Sequence, residues 1–195
     1  MKVNKFCCLI ALPLFFVVSC SDTDKNQQDE KEEVTVASLK QAIKEMDDSL
    51  NVLTKKVLEE ESFTIDRLVY HEAINRNLAF YKAFPDDSYA PRALEKASSM
   101  YMQLNIDQKA ADWRDTLLNN YPDFEGRLSL LELQKSHYDN FEAYDPEMIK
   151  KYCNLMLAME DQLSEEKKSS IEFRLEHIDK SFTELIKMQN PEIDL

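Results

Sequence analysis

Apolar residues recur along most of this chain at alternating steps of three and four, the period of a helix with one greasy face. From Val36, the run Leu39, Ile43, Met46, Leu50, Leu53 and Val57 keeps heptad spacing, with Lys40, Glu45, Asp47, Asp48 and Lys55 on the polar side. One long helix is predicted there. Residues 64–84 predict a second, with Val69, Ala73, Phe80 and Phe84 on one face, stopped at Phe84-Pro85-Asp86-Asp87 because the residue before proline disfavours helix. A third begins near Ser88 to Pro91 and carries Leu94, Ala97, Tyr101 and Leu104, ending in the turn Asn105-Ile106-Asp107. The fourth, 107–120, holds Ala110, Trp113, Leu117 and Leu118 and stops at Tyr121-Pro122-Asp123. A fifth covers 125–142 with Leu128, Leu131, Tyr138 and Phe141. Asp145-Pro146-Glu147 is a helix start, a capping Asp before a first-turn proline, and opens a sixth with Ile149, Tyr152, Cys153, Met156 and Met159. Ser164-Glu165-Glu166 opens the seventh and last, where Ile171, Leu175, Ile178, Phe182 and Leu185 repeat the four-three spacing up to Asn190-Pro191.

The first residues follow other rules. Lys2 and Lys5 precede an apolar stretch, Phe6 to Val18, broken by Cys7, Cys8 and Pro13. It is short of the roughly 20 apolar residues that span a bilayer and fits the core of a secretory signal. Val17-Val18-Ser19-Cys20 ends it and resembles the bacterial lipobox. That resemblance implies cleavage before Cys20, a diacylglyceryl thioether on its sulfur and palmitate-type acyl chains at the new N-terminus. Each buried methylene contributes about 0.8 kcal/mol, so several chains anchor a protein stably. Ser21 rather than Asp follows the cysteine, which by the same resemblance favours the outer membrane, with the body facing the periplasm or the cell surface. The predicted plan is a signal peptide at 1–19, a hydrated tether at 20–35 lacking an apolar anchor before Val34, and a helical domain at 36–190.

Composition sharpens this plan. A single glycine, Gly126, in 195 residues argues against strand-rich folds, which need glycine at tight turns and bulges. Removal of residues 1–19 takes two lysines and no acid, so the net charge moves from −13 to −15. Such a body lacks the basic patch that nucleic acid requires. With Cys20 lipidated, Cys153 stands alone and reads as a small buried hydrophobe.

The corner Phe84-Pro85-Asp86 returns as Tyr121-Pro122-Asp123, 37 residues on. Between the corners, Leu94, Ala97, Ser98, Tyr101, Ala110, Arg114, Leu117 and Pro122 fall on the eight signature positions of a tetratricopeptide repeat. Ser98 and Ala110 are small where two helices approach closely. Arg114 stands where an aromatic is expected, and Trp113 is expected to supply that packing. Ala73, Phe80 and Pro85 match the second half of a preceding repeat, and beyond Pro122 the pattern degenerates. Over residues 64–124 the chain resembles periplasmic tetratricopeptide proteins, among them outer-membrane-assembly lipoproteins and the coordinator associated with the Tol–Pal system. The resemblance implies an all-α, short antiparallel helix-pair solenoid of about seven helices. Its first helices would line a groove. In that register Arg92, Glu95, Ser99 and Met102 face the groove and are the candidate partner-binding residues.

No reaction is predicted. His71-Glu72 begins like a zinc-peptidase helix, but position 75 is Asn where the second His belongs. No cofactor is expected. The expected function is a membrane-anchored lipoprotein, held by lipid on Cys20, whose helical body binds another envelope protein or peptide as adaptor or scaffold. The alternative is a structural element that forms homo-oligomers through the apolar stripes 39–57 and 171–185.

Overall fold

The structure, a computed structural model, describes residues 34–59, 65–140 and 142–192. The signal segment and most of the tether therefore lie outside the described residues, Cys20 included. Among those residues the chain is all helical, with α1 (Val36–Glu59), α2 (Arg67–Ala83), α3 (Ala90–Gln103), α4 (Asp107–Asn120), α5 (Arg127–Tyr138), α6 (Pro146–Leu157), α7 (Glu165–Glu176) and α8 (Phe182–Gln189). From α1 to α7 each helix packs extensively on the next in sequence, the arrangement of an all-α helical-repeat solenoid. No described helix is long and apolar enough to cross a membrane.

The helix ends follow local chemistry. Asp66 and Asp145 accept from the second and third amides of α2 and α6, and Ser164 accepts from Lys167 N at the start of α7. Asn105, the one described non-glycine residue with positive φ, 56°, turns the chain between α3 and α4.

The two aromatic-Pro-Asp corners match bond for bond at the 37-residue offset. Phe84 N donates to Phe80 O at 2.9 Å and Tyr121 N to Leu117 O at 3.0 Å. Asp87 N reaches Phe84 O at 3.1 Å and Phe124 N reaches Tyr121 O at 3.2 Å. Ala90 N and Arg127 N then donate to Asp87 O and Phe124 O, both at 2.9 Å. Burial keeps the same register: Ala73 pairs with Ala110, Phe80 with Leu117, Ala93 with Leu130 and Leu94 with Leu131, all inside. The alanines permit the close helix approach that the spacing implied. The corners also touch each other, since the Tyr121 hydroxyl donates to Pro85 O and Asn120 Nδ2 to the Tyr81 hydroxyl.

Several sequence expectations need correction. The burial register outlasts Pro122 by one helix, since Leu131 and Gln134 of α5 succeed Leu94 and Ala97, and the pattern then degenerates as expected in α6, where exposed Glu147 and Asn154 stand at the positions of Ala110 and Leu117. The fifth helix is shorter than 125–142 and ends at Tyr138. The predicted seventh helix is two, giving eight rather than about seven. The chain leaves helix at His177, and Ser181 restarts it with a capping box in which Ser181 Oγ and the Glu184 carboxylate exchange bonds with each other's backbone amides. The stripe 171–185 is thus not one continuous face. Along α1, Ile43 and Met46 are buried and Leu39 and Leu50 pack against the core, so the proximal half of that stripe is used within the chain.

Candidate functional site

Arg92, Glu95, Ser99 and Met102 lie on one face of α3, at steps of three, four and three residues. All four are exposed or half-buried, while the opposite face, Ala93, Leu94, Ala97 and Tyr101, is core. The structure thus brings the four candidates together. The Arg92 guanidinium pairs with the Glu95 carboxylate on the same helix. Beside them Lys96 reaches back to Asp47 on α1 and lies over the Tyr89 ring, 5.8 Å from its centroid. Burial disfavours the charged Lys96, but the bonds to Asp47 and Tyr89 outweigh it and raise its pKa. Lys40 of α1 likewise pairs with Asp87 in the first corner at 2.9 Å.

The face continues onto α5 in the same register. Ser129, Glu132, Ser136 and Asp139 are the counterparts of Arg92, Glu95, Ser99 and Met102. Glu132 pairs with Lys167 on α7. A 620 Å³ cavity opens on this stretch, lined by Ser136, Asp139 and Tyr144 on one side and Ser181, Phe182 and Thr183 of α8 on the other. Sequence reading missed this second row, although the 37-residue offset, carried one helix further, would have located it.

Beneath the exposed row lies a buried polar centre. Arg114 is 4% exposed and takes the inward position itself, and Trp113 beside it packs half-buried against the core. The Trp113 ring meets the Tyr81 ring edge-on at 6.2 Å. The Arg114 Nε donates to Gln134 Oε1 at 2.7 Å and Nη1 to the Met102 sulfur at 3.9 Å. Gln134 Nε2 donates to Ala111 O at 3.0 Å, and the Tyr152 hydroxyl donates to the Asp115 carboxylate. Burial lowers the pKa of Arg114, with Asp107 and Asp115 acting against that shift through space. Burial likewise pushes the Tyr152 phenol well up, and the Asp115 carboxylate adds to it. His137 sits nearby with Nε2 buried and unbonded, and burial followed by the Arg114 charge holds its pKa below 6.5. So Met102, one of the exposed residues, is tied from below to a centre that spans α4, α5 and α6.

A second buried pair fixes the far end. Arg174 grips Asp139 with Nε and Nη2, at 3.1 and 2.9 Å, and Lys135 adds a 3.1 Å contact. Burial works against the charged carboxyl, but Arg174 and Lys135 outweigh it and hold the pKa of Asp139 below the ordinary value. Cys153 is fully buried and its thiol is pushed up by burial, in keeping with its reading as packing. The remaining histidine of this region, His177, caps α7 with its ring edge-on to Phe173 at 4.5 Å.

Taken together, this geometry is a row of paired charges, hydroxyls and one thioether along α3, continued in register on α5. No family model, no curated protein and no solved structure matches the chain.

Proposed function

We propose that this protein is a lipid-anchored envelope adaptor, tethered through Cys20 to the outer membrane, whose tetratricopeptide-like body holds another envelope protein along the exposed face of α3 and α5. The observation that carries the reading is the exposed row Arg92, Glu95, Ser99 and Met102, repeated 37 residues on as Ser129, Glu132 and Ser136, with Asp139 at the fourth position bonded inward to Arg174. Helix pairs stacked at a constant offset present equivalent residues side by side, which builds an extended surface rather than a pocket. The charged members named above are paired within the chain, so the face meets a partner with little unpaired charge to desolvate.

The test is affinity capture of the full-length protein from detergent-solubilised membranes, comparing wild type with Ser99→Arg and Met102→Glu. The account expects a reproducible partner whose recovery falls at least ten-fold in the variants, with unchanged helical circular dichroism. Equal recovery from all three would overturn it. Mass spectrometry of the native product tests the anchor separately and should find Cys20 acylated at the N-terminus.

A further inference from the structure

The cavity between α5 and α8 joins two kinds of side chain that the helical body leaves unused. Phe182 is 63% exposed and Tyr144 is 39% exposed, and both line it. Ser136, Asn140 and Thr183 line it too, and their side chains take no hydrogen-bond partner among the described residues. The charges at its edge are already paired: Asp139 is held by Arg174 at 2.9 Å and by Lys135 at 3.1 Å. Its α8 wall is fixed locally, although α8 packs extensively against none of the other helices. Arg174 Nη1 donates to His177 O at 2.7 Å, and the Tyr144 hydroxyl donates to Ile178 O at 2.8 Å. The Ser181–Glu184 capping box then sets the first turn, which carries Phe182 and Thr183. The groove between the two proline corners differs, because there the Tyr121 hydroxyl and Asn120 Nδ2 are bonded within the chain.

These groups select a chemistry. An ion would find no unpaired countercharge here, and desolvating a charge without a partner is costly. A wholly apolar ligand would cover Ser136, Asn140 and Thr183 without satisfying them. Hydroxyls and amides both donate and accept, so they match a ligand ringed by hydroxyls. The exposed aromatic faces match a ligand with a flat C–H side. A pyranose ring carries both features. We propose that this cavity binds an uncharged glycan, with a sugar ring against Phe182 and Tyr144 and its hydroxyls bonded to Ser136, Asn140 and Thr183. At 620 Å³ the cavity falls in the range of small-ligand sites, about 300–1,000 Å³. The site goes beyond the partner-binding reading and stands without it, since neither Ser99 nor Met102 lines it.

The test uses the full-length protein in detergent. It is screened on an array of neutral and acidic oligosaccharides, and the strongest neutral binder is then titrated by calorimetry. Neutral glycans should be preferred to acidic ones. Affinity should fall at least ten-fold in Phe182→Ala, fall at least three-fold in Asn140→Ala and in Thr183→Val, and survive in Phe182→Trp. All four positions changed are exposed or conservative, and unchanged helical circular dichroism verifies that each variant is folded. Binding of no neutral glycan, preference for acidic ones, or affinity unaltered by Phe182→Ala would overturn the proposal. Phe182-dependent binding of peptides from a peptide array, without glycan binding, would overturn it in favour of a peptide site. Ser99→Arg should lower partner capture and leave glycan binding unchanged, so the two readings fail separately.

Discussion

At the scale of single residues, the decisive group is Arg114. A nearly buried guanidinium is here bonded to an amide oxygen and a thioether, with carboxylates acting only from a distance. Breaking a buried polar pair from one side costs far more than replacing both sides. Arg114→Ala should therefore destabilise by about 2–4 kcal/mol, while the double change Arg114→Leu with Gln134→Leu should stay within ~1 kcal/mol of wild type in urea melts. Asp139 gives a pH prediction. Its folded pKa lies below the unfolded value of about 3.9, so its stabilisation is complete above that pH and is lost as pH falls through the folded pKa. Asp139→Asn should cost on the order of 3 kcal/mol at neutral pH, by stranding Arg174, and should flatten the acid limb of the stability curve below about pH 4. Little of this was open to sequence reading. The signature register marked Arg114 as a departure, but a charge at a core position says nothing of its partners. Those, Gln134 and Met102, come from two other helices, brought together only by the fold. Cys153, an uncharged residue among apolar neighbours, was legible because burial alone decides it.

At the scale of elements, local chemistry was the better guide. Both proline corners and the cap at Asp145 are where the residues place them. The break between α7 and α8 escaped because apolar spacing continues across it. Ile178 and Phe182 keep the four-three step while the backbone turns between them. The contrary signal was Ser181 with Glu184 three residues on, a capping box inside an apparently continuous stripe. Its consequence is measurable. Leu185→Ala should leave the melting temperature of the body within about 2 °C, because α8 opens locally. Ile149→Ala in the core should cost about 2–5 kcal/mol. The alanine contacts predict the reverse effect: Ala73→Leu and Ala110→Leu should each overpack a close helix approach and cost about 1–3 kcal/mol in chemical denaturation.

At the scale of the whole molecule, the 37-residue period organises both core and surface from α2 to α5. One offset relates the corner bonds, the buried alanines and leucines, and the exposed rows of α3 and α5. The all-α class was readable from helical periodicity and the single glycine, and the shared face of Arg92, Glu95, Ser99 and Met102 on α3 from its repeat register. The α5 row went unread although Glu132 and Ser136 repeat Glu95 and Ser99 at the 37-residue offset, because the repeat register was not carried past Pro122, where the core signature changes to Gln134 and Lys135 in place of Ala97 and Ser98. Self-association through two long stripes loses ground, since 171–185 is interrupted and Ile43 and Met46 are already buried within the chain. On the proposed reading, an anchored body with one repeated face works as an adaptor in which orientation matters. The most direct test places a photo-crosslinking amino acid in the full-length protein in living cells, at Ser99 and Ser136 on the exposed face and at Asn119 on α4 as control. The account predicts a discrete adduct with the same partner protein from Ser99 and Ser136 and none from Asn119. Adducts absent from both face positions, or equally strong from Asn119, would contradict it.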